Sequence, residues 1–386
     1  MKQAFYGLAA MHLPIHVAAQ SVKGTTPARA NRREFLKQTA AAGIAAAIFR
    51  PAPLKAADAT GLPRHAGIAQ TVLGPLDASK LGITLPHEHI ADGPYFLNKW
   101  QNGGKAEFVV EAVERLKPVR AAGIGTIVDL TTYDVGRDIR FLEEVSRKSG
   151  LNMIACTGQR FFPPQYPNVS MPSHTVAGLA GFFRKEIEQG IDGTGIKAGV
   201  IKIGIVAGRP TALEEIGLRA AVRASKATGL PIRIHTDAAH RAGENSAAIL
   251  EDEGMDPARV SLDHSDGSGD MDYFLSLARR GYSLGMDHVH RGIMPNTEPS
   301  FEKRAECIKR LIEAGFAGKI FLSQDAEFGG SLLAEDAKDF RSKLDPPDGL
   351  LFTARRLIPY LKRIGVSDRD IHTMTVENPR SFFTMS

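Results

Sequence analysis

Cysteine is almost missing from this chain: Cys156 and Cys307 are the only two in 386 residues. That rules out a disulfide framework, and since both lie inside apolar patterns they read as buried thiols. No segment reaches the roughly 18 apolar residues needed to cross a bilayer, so no membrane span is expected. Positive charge is missing too, once its location is considered. The formal net charge is +5, but eight of the 48 basic side chains and only two of the 43 acidic ones precede residue 59. The remainder carries 40 against 41. A body so balanced has no basic stripe, and no nucleic-acid partner is expected. A glycine-rich phosphate loop is also missing after the first candidate strand, where Pro86-His87-Glu88-His89 stands instead. That weakens the case for a doubly wound nucleotide-binding sheet.

What is present divides at about residue 59. Arg32 and Arg33 precede Phe35-Leu36-Lys37 and a weakly hydrophobic stretch, Thr39–Phe49, of 11 residues. That length suits the central segment of an export signal rather than a span. Ala57-Asp58-Ala59 offers small residues for cleavage, placed here after Ala59. The run resembles a twin-arginine signal, which implies a partner in the twin-arginine export machinery and a periplasmic or otherwise exported protein. Residues 1–59 are therefore expected to be a leader and 60–386 a single domain. With 43% hydrophobic and 24% charged residues, the chain has the composition of a globular protein with a large core.

Beyond residue 80, strand-like and helix-like segments alternate. The strand candidates are 83–85, 125–130, 152–157, 199–204, 231–236, 259–263, 281–287 and 319–323. Several are short continuous apolar runs, as strands buried on both faces should be. Helical patterns separate them, at 107–122, 213–228, 300–316 and 350–364. Eight strand–helix units in roughly 285 residues match an α/β fold of the (β/α)8 TIM-barrel type.

The twelve histidines fall in a pattern. His87 and His89 are two apart at the end of the first strand, so an extended chain points both to one side. His235 ends the fifth strand, His264 the sixth, and Asp325 the eighth. A closed parallel barrel gathers such ends on one face. Imidazoles and a carboxylate converging there would be costly without partners, and metal ions supply them. One strand-end histidine alone carries little weight; the alignment of several carries the reading. Zinc suits these ligands, and five exceed the three protein ligands usual for one catalytic zinc, so two ions are expected. Lys202 lies within the buried strand Val200-Ile201-Lys202-Ile203, where a free ammonium is expensive. A deprotonated amine there can react with carbon dioxide to form a carbamate, a carboxylate on a long arm able to bridge two cations.

These motifs, GITLPHEHI (82–90), GVIKIG (199–204), ATGLPIRIHT (227–236), HSDGSGD (264–270), RGYSLGMDH (280–288) and SQDAEFG (323–329), resemble those of the phosphotriesterase family within the amidohydrolase superfamily. The resemblance runs from about Gly74 to Phe383. It implies that His87, His89 and Asp325 hold the more buried ion and that His235 and His264 hold the more exposed one. Carboxylated Lys202 and a hydroxide would bridge the two. It further implies that Asp325 accepts a proton, and that His288 at the end of the seventh strand carries a proton or touches the leaving group. Zinc is the first expectation for the ions, with cobalt, manganese or iron as alternatives, and carbon dioxide is needed to modify Lys202. The resemblance also implies a homodimer.

The pocket departs from the family pattern. Gly267 stands where family phosphotriesterases have an aspartate that works with the His288 equivalent. Arg160-Phe161 stands where organophosphate-hydrolysing members show an aromatic pair. An arginine on the pocket wall suits a substrate with an anionic or strongly polar part, or else makes a structural ion pair. Tyr95, Phe96 and Trp100, in the loop after the first strand, are candidates for an aromatic wall, and Phe328 after the eighth is another. The expected activity is binuclear-metal hydrolysis of a small ester or lactone by a metal-bridging hydroxide. Organophosphate triester hydrolysis at the same site and a non-catalytic exported binding protein are the alternatives.

Overall fold

The computed structural model of the chain describes residues 67–90, 105–165, 169–328 and 346–385. It opens on a short antiparallel hairpin, β1 (Ile68–Thr71) with β2 (Gly74–Asp77). Eight further strands follow: β3 (Ile83–Glu88), β4 (Ile124–Asp129), β5 (Asn152–Gln159), β6 (Val200–Gly204), β7 (Ile232–His235), β8 (Val260–Asp263), β9 (Ser283–Met286) and β10 (Ile320–Leu322). Each pairs in parallel with its sequence neighbour. All eight correspond to the strands expected from the sequence, with ends that coincide or differ by up to three residues.

The two outer strands meet at a seam. Asp325 N donates to His87 O over 3.2 Å, and His89 N donates to Ala326 O over 3.0 Å. The buried Glu88 carboxylate accepts from Ser323 Oγ at 2.6 Å, Gln324 Nε2 at 2.7 Å and Ala326 N at 2.8 Å. The result is a nearly closed eight-stranded parallel barrel, consistent with the TIM architecture.

Helices α1 (Lys105–Ala121), α2 (Ile139–Ser149), α3 (Val176–Glu188), α4 (Ala212–Thr228), α5 (Ala242–Asp252), α6 (Met271–Arg279) and α7 (Phe301–Glu313) intervene between the strands. The helix α4 shows how such a unit is punctuated. Thr211 and Glu214 form a reciprocal capping box at its start, and Gly229 in the left-handed region ends it. Short helices α8 (Ile358–Arg363), α9 (Asp368–His372) and α10 (Asn378–Phe383) complete the chain.

Alternation along the strands divides the core in two. Ile201, Ile203, Ile232, Ile234 and Leu262 belong to the large cluster shared with the helices. Val128, Ile154, Cys156, Val200 and Phe321, from the opposite strand face, form a second cluster with Ala69, Leu81, Phe382 and Phe383. That inward face carries Lys202 two residues beyond Val200, and the ladder sets Lys202 beside Arg233 and Arg233 beside Ser261. Charged side chains thus begin where the apolar lower layer stops. Cys156 and Cys307 are both free and buried, as expected.

Two elements differ from the sequence expectation. The first barrel strand continues through Pro86 to Glu88, with an irregularity in its pairing to β4 between Leu85 and Glu88. A ladder break absorbs the missing N–H of a proline. The expected helix at 350–364 is divided into a 3-10 turn, a π turn over Thr353–Leu357 and α8. Pro359, in the first turn of α8, has no N–H to continue the α-helical ladder backward. Among the described residues no helix is long and apolar enough to cross a membrane. The expected leader, 1–59, lies outside the described residues.

Candidate metal centre

The strand ends deliver the expected side chains to one place. His87 lies in β3 and His89 just past it, their ring centroids 5.6 Å apart. His264 follows β8 directly, 4.9 Å from His87 between centroids and 4.1 Å from His235. His288, two residues past β9, stacks on His264 at 3.8 Å. Asp325 reaches between them. Its Oδ1 is 3.2 Å from His89 Nε2 and 3.4 Å from His87 Nε2, and its Oδ2 is 2.7 Å from His288 Nε2. Lys202 Nζ comes up from inside the barrel to 3.2 Å from His87 Nε2.

Three groups have spacings that could hold an ion: His87, His89 and Asp325; His264, His288 and Asp325; and His87, His264 and Asp287. The first is the triad implied for the buried ion. His235 belongs to none of the three. Its ring abuts His264, and its Nε2 faces Arg160 Nη2 at 2.9 Å.

The imidazoles are held by their other nitrogens. His87 Nδ1 and His264 Nδ1 contact the two oxygens of the Asp287 carboxylate at 2.7 and 2.8 Å, and His89 Nδ1 contacts Thr131 Oγ1 at 3.1 Å. A carboxylate accepting from Nδ1–H fixes the tautomer that leaves the Nε2 lone pair free to bind a cation. Burial pushes the pKa of His87, His235, His264 and His288 well below the usual imidazole value, which keeps them neutral. For Asp325, burial opposes the charge, but the adjacent His87, His288 and His89 outweigh it. They hold its pKa well below the usual carboxylate range.

These residues fit a divalent cation. His264 Nε2 is fully enclosed and has no hydrogen-bond partner, and neither has Asp325 Oδ1. A neutral imidazole and an ionised carboxylate, each with an unused lone pair in a dry site, make a donor set suited to zinc-like ions. Both residues also have positive φ, 61° for His264 and 48° for Asp325. Such a backbone costs of order 1–3 kcal/mol for a non-glycine residue and gathers at functional sites.

Below the histidines lies a charged layer that the sequence did not single out. Asp263, fully buried, accepts from Lys202 Nζ at 3.0 Å and from Arg233 Nη2 at 2.6 Å. Burial pushes the Lys202 ammonium pKa down, and Asp263 works against that shift. Gly285 makes room for this layer: a Cβ there would lie 2.8 Å from Asp287 Oδ2 and 2.9 Å from Asp263 Oδ1. Asp266 Oδ1 accepts from the backbone N–H of both Asp287 and His288 at 3.1 Å, and Arg304 anchors its other oxygen at 3.0 Å. Asp266 thus fixes the end of β9, beside the residue, Gly267, that lacks a side chain. Asp263 and Arg233 were legible as charges on an inward strand face; Asp287, one residue before His288, had no such signal.

The pocket candidates divide. Arg160 and Phe161 stand at the rim, their backbone N–H groups held by Asp134 at 3.0 and 2.8 Å, with the Arg160 guanidinium 4.5 Å from the Phe161 ring centre. Phe328 is buried and belongs to the large hydrophobic cluster. Tyr95, Phe96 and Trp100 lie outside the described residues.

A parallel barrel whose strand ends converge as neutral imidazoles around one carboxylate defines a metal-assisted hydrolase type of site. The chain belongs to the phosphotriesterase family, whose profile matches residues 67–383, and it is a hydrolase of that family. It is 34% identical over 323 residues to a phosphotriesterase homology protein of Mycobacterium tuberculosis, covering 81% of this chain and 96% of that one. It is 32% identical over 318 residues to an aryldialkylphosphatase of Saccharolobus solfataricus, covering 80% and 97%. Among solved structures, a mutant PTE-like lactonase of Deinococcus radiodurans superposes with a TM-score of 0.71 at 32% identity, over 82% of this chain and 99% of that one.

Proposed function

We propose that this chain is an exported binuclear metal hydrolase of small esters or lactones. The observation that carries the reading is the approach of the His87 and His89 Nε2 atoms to Asp325 Oδ1, at 3.4 and 3.2 Å, with their Nδ1 atoms occupied and Lys202 Nζ 3.2 Å from the same His87 Nε2. His87, His89 and Asp325 would hold one ion, and His235 and His264 the other, with Lys202 as a ligand available to both. Divalent ions bound there, zinc first among them, supply a lowered water pKa and a polarised substrate oxygen.

The chain's own groups do the rest. Buried Lys202 adds its amine to carbon dioxide; an N–C bond forms, one proton leaves, and the lysine ends as a carbamate anion. Asp325 Oδ2 takes the proton of the attacking water and passes it across 2.7 Å to His288 Nε2, which delivers it toward the leaving group. The burial of the site excludes competing water and strengthens these interactions.

Arg160, standing where an aromatic pair is expected in organophosphate hydrolases, favours carboxylic substrates over neutral phosphotriesters. The likeness to an aryldialkylphosphatase supports phosphotriester hydrolysis as the second reading. Catalytic efficiencies measured side by side on paraoxon and on lactones of several ring sizes decide between them. A large lactone preference supports the first, and a paraoxon preference the second. The full ligand set speaks against a non-catalytic binding protein; a folded, metal-free protein would restore that reading. The Arg32-Arg33 leader supports export through the twin-arginine machinery, to be tested by loss of the periplasmic form in R32K/R33K. A homodimer is proposed on family likeness alone.

A further inference from the structure

Two guanidinium groups flank the centre, and each has one nitrogen enclosed without a hydrogen-bond partner. Arg160 leaves β5 and sets Nη2 2.9 Å from His235 Nε2. Its Nη1 is enclosed without a hydrogen-bond partner, and among the described residues no carboxylate lies within 4 Å of the group. Arg291 comes from the other side. The chain makes a 3-10 turn over Val289–Ile293, begun by His288. Side chains three apart eclipse in such a turn, so Arg291 follows His288 toward the centre. Its Nη2 lies 3.7 Å from Asp325 Oδ2, too far for a hydrogen bond, and its Nε is enclosed without a partner.

The partner that Arg160 does have is one it cannot keep. The His235 Nε2 lone pair can serve a guanidinium or a cation, but not both. An ion on His235 therefore leaves Arg160 with no side-chain acceptor. An enclosed cation with no counter-charge is unfavourable, and divalent ions beside it make it more so. An oxyanion entering between Arg160 and Arg291 would satisfy the stranded N–H groups with charge-assisted hydrogen bonds.

We propose that Arg160 and Arg291 form an anion clamp, and that the substrate is a small ester or lactone bearing a carboxylate or sulfonate group. This rests on the hydrolase reading above but goes beyond it by naming the substrate class. Neutral phosphotriesters lack the group the clamp would hold.

The test uses the metal-loaded protein and a matched pair of esters, phenyl hexanoate and monophenyl adipate, which share a leaving group and differ in a terminal carboxylate. The wild type should favour the adipate by about tenfold or more in kcat/KM, the usual worth of a charge-assisted hydrogen bond. That ratio should fall by about tenfold in R160Q and in R291Q, with the loss mainly in KM, while metal content stays at the wild-type value. No preference in the wild type, or an equal loss on both esters, would overturn the clamp; equal loss is what stabilisation of the transition-state oxyanion would give. If ions are bound and neither ester is hydrolysed, the hydrolase reading fails and the clamp is judged by titration calorimetry with propane-1-sulfonate. Saturable binding weakened in both variants upholds it, and absent or unchanged binding refutes it.

Discussion

His87 and Asp287 are joined by a 2.7 Å contact between Nδ1 and one carboxylate oxygen, and the other oxygen of Asp287 holds His264 in the same way. One buried side chain therefore aims two proposed metal ligands that come from strands on different sides of the barrel. Asn at 287 keeps the size but replaces one acceptor with a donor, which cannot hold both Nδ1–H groups. D287N should lower metal affinity about 10–100-fold, the usual cost of losing such a partner. Competition with a chelating dye measures it, and unchanged affinity would show that the histidines are aimed by other contacts.

Arg233 and Asp263 form a pair with no solvent contact, at 2.6 Å, beneath Lys202. Removing one member strands the other's charge. R233M should destabilise the fold by about 3–5 kcal/mol, read by denaturant titration. The double variant R233M/D263L should recover part of that loss, since Asp263 is no longer left without Arg233. A loss under about 1 kcal/mol for R233M would mean that water or Lys202 already compensates Asp263.

Much of this centre is legible in the amino-acid sequence. Continuous apolar runs mark strands buried on both faces, and His87, His235, His264 and Asp325 stand where those runs stop. Lys202 was conspicuous as a charge inside one of them. What stayed hidden depends on the third dimension. Arg233 and Asp263 occupy inward positions, but only barrel closure brings them under Lys202. The reach of Arg291 toward Asp325 depends on a single 3-10 turn, for which Val289–Ile293 has no strong signature. The β1–β2 hairpin is four residues a side, too short for a periodic pattern. The break near Pro359 shows the opposite case, in which a readable signal was outweighed by the apolar spacing around it.

Asp270 caps α6, accepting from Asp272 N at 2.9 Å and Tyr273 N at 3.3 Å, and it pairs with Arg241. Burial opposes the charge, while the backbone donors and Arg241 together lower its pKa on balance. A depressed carboxylate stabilises the fold above its unfolded pKa of about 3.9, and the contribution is lost as pH falls through the folded value. D270A should therefore cost about 1 kcal/mol at pH 7 and progressively less below pH 4. Thermal melts of both proteins from neutral to acidic pH give the comparison. A gap that widened in acid would reverse the assigned sign.

The central claim is that His87, His89, Lys202, His235, His264 and Asp325 share two cations. It is tested most directly by counting metal per chain after chelation and reconstitution with zinc, with and without bicarbonate, in the wild type and in K202A. Two ions in the wild type, assembled faster with bicarbonate, and fewer than two in K202A are predicted. Two ions in K202A, with assembly indifferent to bicarbonate, would contradict it.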